Sequence, residues 1–290
     1  MKTRVASRGS PLVPSRRSRP IPSSALLSFL AIPFAVTWGT IGVYILWPDV
    51  AAERLGEISG SHPAFFLATW GPAIAGLGVV WGHAGTGGLR AYLSRLLLWR
   101  CPPGWAAFLV LGIPLVFVAG SRIEGGPVVA PISFQGIGVV ARAAILMLFL
   151  GPIEELGWRG VAQPLLQRHM APVWAGLIIG AIWGVLHHPA FYLSGTVQSG
   201  LSFTPFFIGN VALAVIVTPL FNATRGSILL PMFFHWQLIN PLWPDARPWD
   251  TWLFVLAAVV VVGLNRDAMF RRDAGWTRVV PGRPESHGVP

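Results

Sequence analysis

The run Pro172-Val173-Trp174-Ala175-Gly176-Leu177-Ile178-Ile179-Gly180-Ala181-Ile182-Trp183-Gly184-Val185-Leu186 carries no charge and no apolar–polar alternation, and it ends on His187-His188-Pro189. Lipid offers the backbone no hydrogen-bond partners, so only helices and closed barrels cross it. A run this long and unalternated reads as a membrane helix rather than a barrel strand. Other runs of the same kind flank it. The predicted spans are roughly 26–47, 63–82, 104–120, 136–157, 172–193, 203–221, 227–243 and 250–265, each near the ~20 residues a bilayer needs. The predicted fold is all-α: a polytopic membrane helical bundle with about eight transmembrane helices.

Composition agrees. The chain is 53% hydrophobic and 11% charged, with a mean hydropathy of +0.62, whereas soluble domains carry about a quarter charged residues. A net charge of +10 could indicate nucleic acid, but the placement argues otherwise. Lys2, Arg4, Arg8, Arg16, Arg17 and Arg19 precede the first apolar run, and Arg266, Arg271, Arg272, Arg278 and Arg283 follow the last. These are membrane flanks, and no nucleic-acid partner is expected.

Between the spans, Arg90, Arg95, Arg100, Arg159, Arg168 and Arg225 fall on one side. Asp49, Glu53, Glu57, Glu124, Asp245 and Asp250 fall on the other, with only Arg54, Arg122 and Arg247. This alternation predicts an integral protein, in the bacterial cytoplasmic membrane, with both termini cytoplasmic. Residues 1–23, rich in Ser, Pro and Arg, read as a disordered basic tail. Residues 24–266 form the membrane domain, and 267–290 form a second basic tail. The first apolar run is too long for a cleaved signal peptide and reads as an uncleaved anchor. The single cysteine, Cys101, excludes an internal disulfide and any multi-cysteine metal site. Residues 88–100 interleave Leu and Trp with three arginines, and read either as an interfacial amphipathic helix or as a basic loop.

Ionisable groups inside apolar spans are expensive, which marks them as functional candidates. The first cluster is Gly151-Pro152-Ile153-Glu154-Glu155-Leu156-Gly157-Trp158-Arg159. On a helix Glu155 and Arg159 are i and i+4 and can pair. Glu154 points about 100° away and is left for acid–base work. The second cluster is His187 and His188 at the end of the quoted run. Pro189 disfavours helix at His188, so His187 is the better-held member, with Trp183 at i−4. The third is His235, Gln237 and Asn240 in an otherwise apolar stretch, where Gln237 reads as interhelical glue. Together they put a carboxylate and two imidazoles on three helices. Such a set can activate water by general base catalysis or by holding Zn²⁺ through Glu154, His187 and His235. There is no His-Glu-x-x-His helix to favour zinc, so no tightly held cofactor is expected, with Zn²⁺ as the one metal to test.

Glu-Glu-x-x-x-Arg, then aromatic-x-x-x-His, then His near Asn, in that order over about 140–243, resembles the CAAX protease and bacteriocin-processing (CPBP, or Abi) family of intramembrane proteases. The resemblance implies an endopeptidase in which Glu154 and His187 activate water and His235 and Asn240 stabilise the oxyanion. Glu155, Arg159, Trp183 and His188 are implied as supporting residues. Its implied partners are a membrane protein or peptide substrate and the lipid bilayer. Family members are commonly labelled metalloproteases. Two positions depart from the pattern. Trp183 stands where Phe is usual, and Asn240 lies one residue later than the family's His-x-x-x-Asn. The alternatives are a catalytically inactive scaffold or bacteriocin self-immunity protein, and a proton-coupled transporter.

Overall fold

Proline opens several of the apolar helices. Pro63, Pro72, Pro103 and Pro172 each stand in a first turn, where the missing N–H has no helical partner to lose. The computed structural model describes residues 21–282. Residues 1–20 of the expected N-terminal tail, and residues 283–290, lie outside the described residues. Ile21, within the expected tail, is buried, and its carbonyl accepts a hydrogen bond from Arg168.

The architecture is an all-helical bundle with no strand among the described residues. The main helices are α1 (Ala25–Leu46), α2 (Pro48–Leu55), α3 (Pro63–Thr69), α4 (Gly71–Leu93), α5 (Pro103–Ile123), α6 (Ile137–Leu148), α7 (Pro172–Leu186), α8 (Phe203–Ala223), α9 (Leu229–Ile239) and α10 (Trp249–Leu264). Five units are long and apolar enough to cross a membrane: Ala25–Leu46, Pro103–Ile123, Ile137–Leu166, Pro172–Tyr192 and Phe203–Ala223. The pair Pro63–Thr69 and Gly71–Leu97, bent by 54°, makes a sixth if it crosses as one. The remaining two expected spans form shorter helices. The 11 residues of α9 rise only about 16 Å, near half of a ~30 Å hydrocarbon core.

Between α7 and α8 the backbones approach closely. A Cβ on Gly180 would lie 2.6 Å from Val211 Cα. Small residues at such a crossing let dispersion contacts form where lipid provides no hydrophobic drive. This packing holds α7, with Trp183 and His187 near its end, in the middle of the bundle.

The unit Ile137–Leu166 is not one smooth helix, and it continues beyond the predicted end at 157. After α6 it passes through a tight turn at Pro152–Glu154, a single α-turn at Glu155–Gly157, a widened turn at Trp158–Ala162 and a last turn at Gln163–Leu166. The widened turn sends the Gln163 N–H to Trp158 O, bypassing Arg159 O. Pro164 has no N–H to give Gly160 O. Buried carbonyls left in this way need other donors. Arg95 supplies them, with Nη1 donating to Gly160 O at 2.8 Å and Nη2 to Arg159 O at 3.2 Å. The same guanidinium donates to Gly226 O and Val279 O. From one turn earlier, the Tyr92 hydroxyl donates to Leu156 O.

Arg95, expected in a solvent-facing basic loop, is completely buried. Residues 88–93 prolong α4, and 94–97 form a short tight helix, so most of the stretch is helical. The C-terminal stretch 271–282 lies across the same end of the bundle. Its carbonyls at Trp276, Thr277 and Val279 accept from Gln167, Arg168 and Arg95.

Arg95→Ala would leave several buried carbonyls unpaired, each costing about 1–3 kcal/mol. We expect a total loss above ~4 kcal/mol, read as reduced thermal or SDS-induced unfolding stability in detergent. Arg90→Ala, at an exposed site, should change stability by less than ~0.5 kcal/mol. Equal, small effects at both positions would remove Arg95 from its supporting role.

Candidate active site

Glu154 closes the tight turn that follows Gly151, so its side chain leaves the backbone in the bundle interior, where it is 2% exposed. One oxygen, Oε2, accepts from two indoles: Trp158 Nε1 at 3.2 Å and Trp183 Nε1 at 2.9 Å. Trp158 is fully buried and meets Phe29 of α1 edge-on at 5.6 Å. Trp183 comes from α7. The indole at 183 therefore does something a phenyl ring cannot, because it donates to the carboxylate.

Glu155 faces elsewhere. Arg159 Nη1 pairs with it at 3.1 Å, as the i,i+4 spacing predicts, and His235 Nδ1 lies 2.9 Å from its Oε1. Since a carboxylate oxygen accepts, the His235 ring donates through Nδ1–H when Glu155 is ionised. The Arg159 guanidinium also lies over the Trp183 ring at 5.8 Å. Arg159, Glu155 and His235 thus form a buried chain beside Glu154. An ion pair so enclosed adds little net stability. It holds each member where the others need it.

His187 ends α7. Its Nδ1 lies 2.8 Å from Trp183 O. A carbonyl only accepts, so Nδ1 carries the proton and Nε2 is left with a lone pair in the neutral ring. The ring touches Trp183 on one side and Phe206 on the other, at 5.9 and 5.3 Å between centroids. Trp183 also meets His235 edge-on at 5.2 Å, so this single indole contacts both imidazoles and Glu154.

Glu154 and His187 together line a cavity of about 30 Å³ whose other walls include Thr37 of α1, Ala68 and Thr69 of α3, and Gln198. Water occupies about 10–15 Å³ on this measure, so there is room for roughly two molecules. His235 is not among the lining residues. The Oε1 atom of Gln198 is buried without a hydrogen-bond partner among the described residues.

The remaining expected residues lie apart. His188 meets Phe203 and Tyr192 edge-on, at 4.6 and 5.2 Å between centroids, and makes no hydrogen bond to the cluster. Asn240 closes α9. Its Nδ2 donates to Gln237 O at 3.0 Å and Trp236 O at 3.3 Å, and its Oδ1 accepts from Leu242 N. Both amide protons are therefore committed to the helix end: Pro241 has no N–H for Gln237 O, while Trp236 O also accepts the Asn240 backbone N–H at 2.9 Å. Gln237 Nε2 donates across to Leu109 O, the interhelical tie expected of it.

Glu154, His187 and His235, the residues that would hold zinc, do not form a metal site in this arrangement. Among the described residues no three His, Cys, Asp or Glu side chains stand in a ligating arrangement. Motif spacing missed Trp158, Tyr92 and Arg95. Only Trp158 had a visible signal, its i+4 spacing from Glu154.

Comparison with known proteins bears on the same region. Residues 136–238 match the family described as Type II CAAX prenyl endopeptidase Rce1-like. A CAAX prenyl protease 2 from Methanococcus maripaludis is 27% identical over 141 residues, covering 44% of this chain and 51% of that protein. The chain thus spans about half the length of that relative. The FhuB permease protein of an iron(3+)-hydroxamate import system, from Salmonella typhimurium, is 30% identical over 227 residues, covering 68% of this chain and 31% of that protein.

Replacing both indoles, Trp158→Phe with Trp183→Phe, keeps the aromatic packing and removes two donors from a buried carboxylate. The expected cost is about 2–4 kcal/mol, at ~1.5–3 kcal/mol for each bond to a charged group with some relaxation. In a Glu154→Leu background the same pair should cost much less. Equal costs in the two backgrounds would show that the indoles serve packing alone.

Proposed function

We propose, from the match of residues 136–238 to the Rce1-like CAAX prenyl endopeptidase family, that this protein is an intramembrane endopeptidase of the CAAX protease type. The observation that carries the reading is the cavity shared by Glu154 and His187. It is large enough for water and is lined by Glu154 and His187, each of which keeps one atom, Oε1 and Nε2, outside the hydrogen bonds described above.

In this reading a water in the cavity gives one proton to Glu154 Oε1 while its other hydrogen points at His187 Nε2. Its oxygen attacks the peptide carbonyl carbon. The proton on Glu154 then passes to the leaving nitrogen as the C–N bond breaks, releasing a carboxylic acid, which keeps the water's second proton, and an amine. General base catalysis of this kind is typically worth 10²–10⁴-fold. The indoles fix Glu154 Oε2, which aims Oε1. His235 is assigned to the developing oxyanion in its doubly protonated form, with Nδ1–H held by Glu155 and Nε2–H as the donor, the kind of preorganised donor that usually contributes most. Asn240, with both amide protons committed, is assigned to the end of α9 rather than to the oxyanion. No step is routed through a metal.

The substrate class follows from the setting: a peptide or membrane protein whose scissile bond reaches the bundle interior. Residues 24–266 are assigned to the membrane unit, with both termini on the cytoplasmic side. The permease similarity raises a transport reading. A cavity of about 30 Å³ lies far below the ~300 Å³ lower end of small-molecule sites, which favours hydrolysis at this position.

The test is cleavage of membrane peptides by purified protein in proteoliposomes, with new termini identified by mass spectrometry. Glu154→Gln should lower kcat/KM by at least ~10²-fold without loss of folded protein, and His187→Ala and His235→Ala should also lose most activity. Asn240→Ala should cost about 1 kcal/mol of stability and leave kcat nearly unchanged. Undiminished cleavage by Glu154→Gln would refute the assignment of the base. A collapse of kcat in a stably folded Asn240→Ala would return that residue to the oxyanion site.

A further inference from the structure

The arginine-rich stretch around residue 100 has no part in the hydrolytic site. There, a cavity of about 560 Å³ opens between residues 97–102 and residues 223–225. It is lined by Leu97, Leu98, Trp99, Arg100, Cys101 and Arg225, among others. The span Gly71–Leu97 ends on one side of it, Pro103–Ile123 begins beside it, and Phe203–Ala223 ends opposite. The cavity therefore sits where helices leave the bilayer.

Its walls are fixed. Arg95 Nε donates to Gly226 O at 2.7 Å, Ile228 N to Arg95 O at 3.2 Å, and Ser227 Oγ to Leu98 O at 2.6 Å. These bonds pin the turn after α8 against the end of the long α4 unit.

Its charge is unneutralised. Arg100 and Arg225 are exposed, and neither forms an ion pair among the described residues. Arg225 also adopts a left-handed backbone, φ 53°. Helix ends usually give that conformation to Gly or Asn, and for other residues it is strained. Here the strained position carries a guanidinium that lines the cavity.

Its rim is apolar. Trp99 and Leu97 are 70% and 76% exposed, as suits side chains at headgroup and upper acyl depth.

We infer that this cavity binds the headgroup of an anionic phospholipid, with Arg100 and Arg225 on the phosphate and Leu97 and Trp99 against the acyl chains. Basic pockets between membrane helices hold such headgroups, and each basic residue near the surface contributes enough that losing two weakens binding by roughly 30-fold. The inference does not depend on the protease reading.

Cys101, the only cysteine, lies in the cavity wall and reports its occupancy. The experiment is the rate of Cys101 modification by N-ethylmaleimide in nanodiscs of phosphatidylcholine alone or with phosphatidylglycerol, each protein serving as its own reference. Phosphatidylglycerol should slow modification of the wild type severalfold. R100Q/R225Q should abolish that lipid dependence, while R90Q/R266Q, which removes the same charge from exposed sites outside the cavity, should keep it. Equal rates in the two lipids for the wild type, or protection that survives R100Q/R225Q, would overturn the inference. Equal slowing by inorganic phosphate in detergent would overturn the lipid assignment in favour of a soluble anion.

Discussion

A backbone that changes its turn inside a membrane strands carbonyl groups, and lipid has nothing to offer them. The chain does this between Glu155 and Leu166, where a widened turn and Pro164 remove the usual donors from Arg159 and Gly160. Arg95 and Tyr92, from the end of the long α4 unit, donate to the carbonyls of 156, 159 and 160. A guanidinium is suited to the task because it carries five N–H groups in a rigid plane and keeps its charge. The same group reaches Gly226 and Val279, so the turn after α8 and the C-terminal stretch are tied to one centre.

That support makes the irregular geometry useful. A regular helix through Glu154 and Arg159 would place successive side chains at fixed 100° steps around one axis. The tight turn, single α-turn and widened turn instead separate two adjacent carboxylates into different environments. Glu154 receives indole N–H groups and borders the small cavity. Glu155 receives Arg159 and His235. One carboxylate is then engaged in holding an imidazole, and the other keeps an oxygen for chemistry. Trp183 joins the two halves, since its N–H reaches Glu154 while its ring meets His187, His235 and the Arg159 guanidinium.

Much of this was legible from residue order. Apolar run length is enough to call a helical membrane bundle, because bilayer thickness sets a length that few other structures require. Glu154, Glu155, Arg159, His187 and His235 were conspicuous because charge and imidazole are rare in such runs. Other features were hidden for physical reasons. The burial of Arg95 depends on carbonyls freed more than sixty residues away, which no local pattern reports. The hydrogen bonds of Asn240 to Trp236 O and Gln237 O were equally hidden, because they depend on where the helix ends rather than on spacing from His235. The short α9 looked long enough to span because the apolar residues after it continue the run without continuing the helix.

The central claim is that Glu154 and His187 hold a reactive water between them without a metal. High-resolution density for the purified, active protein in a lipid environment tests it directly. The account predicts one or two waters in the cavity, within hydrogen-bond distance of Glu154 Oε1 and His187 Nε2, with both indoles still on Glu154 Oε2. A strong peak about 2.1 Å from Glu154, His187 and His235 together, the distance of zinc ligation, would contradict it.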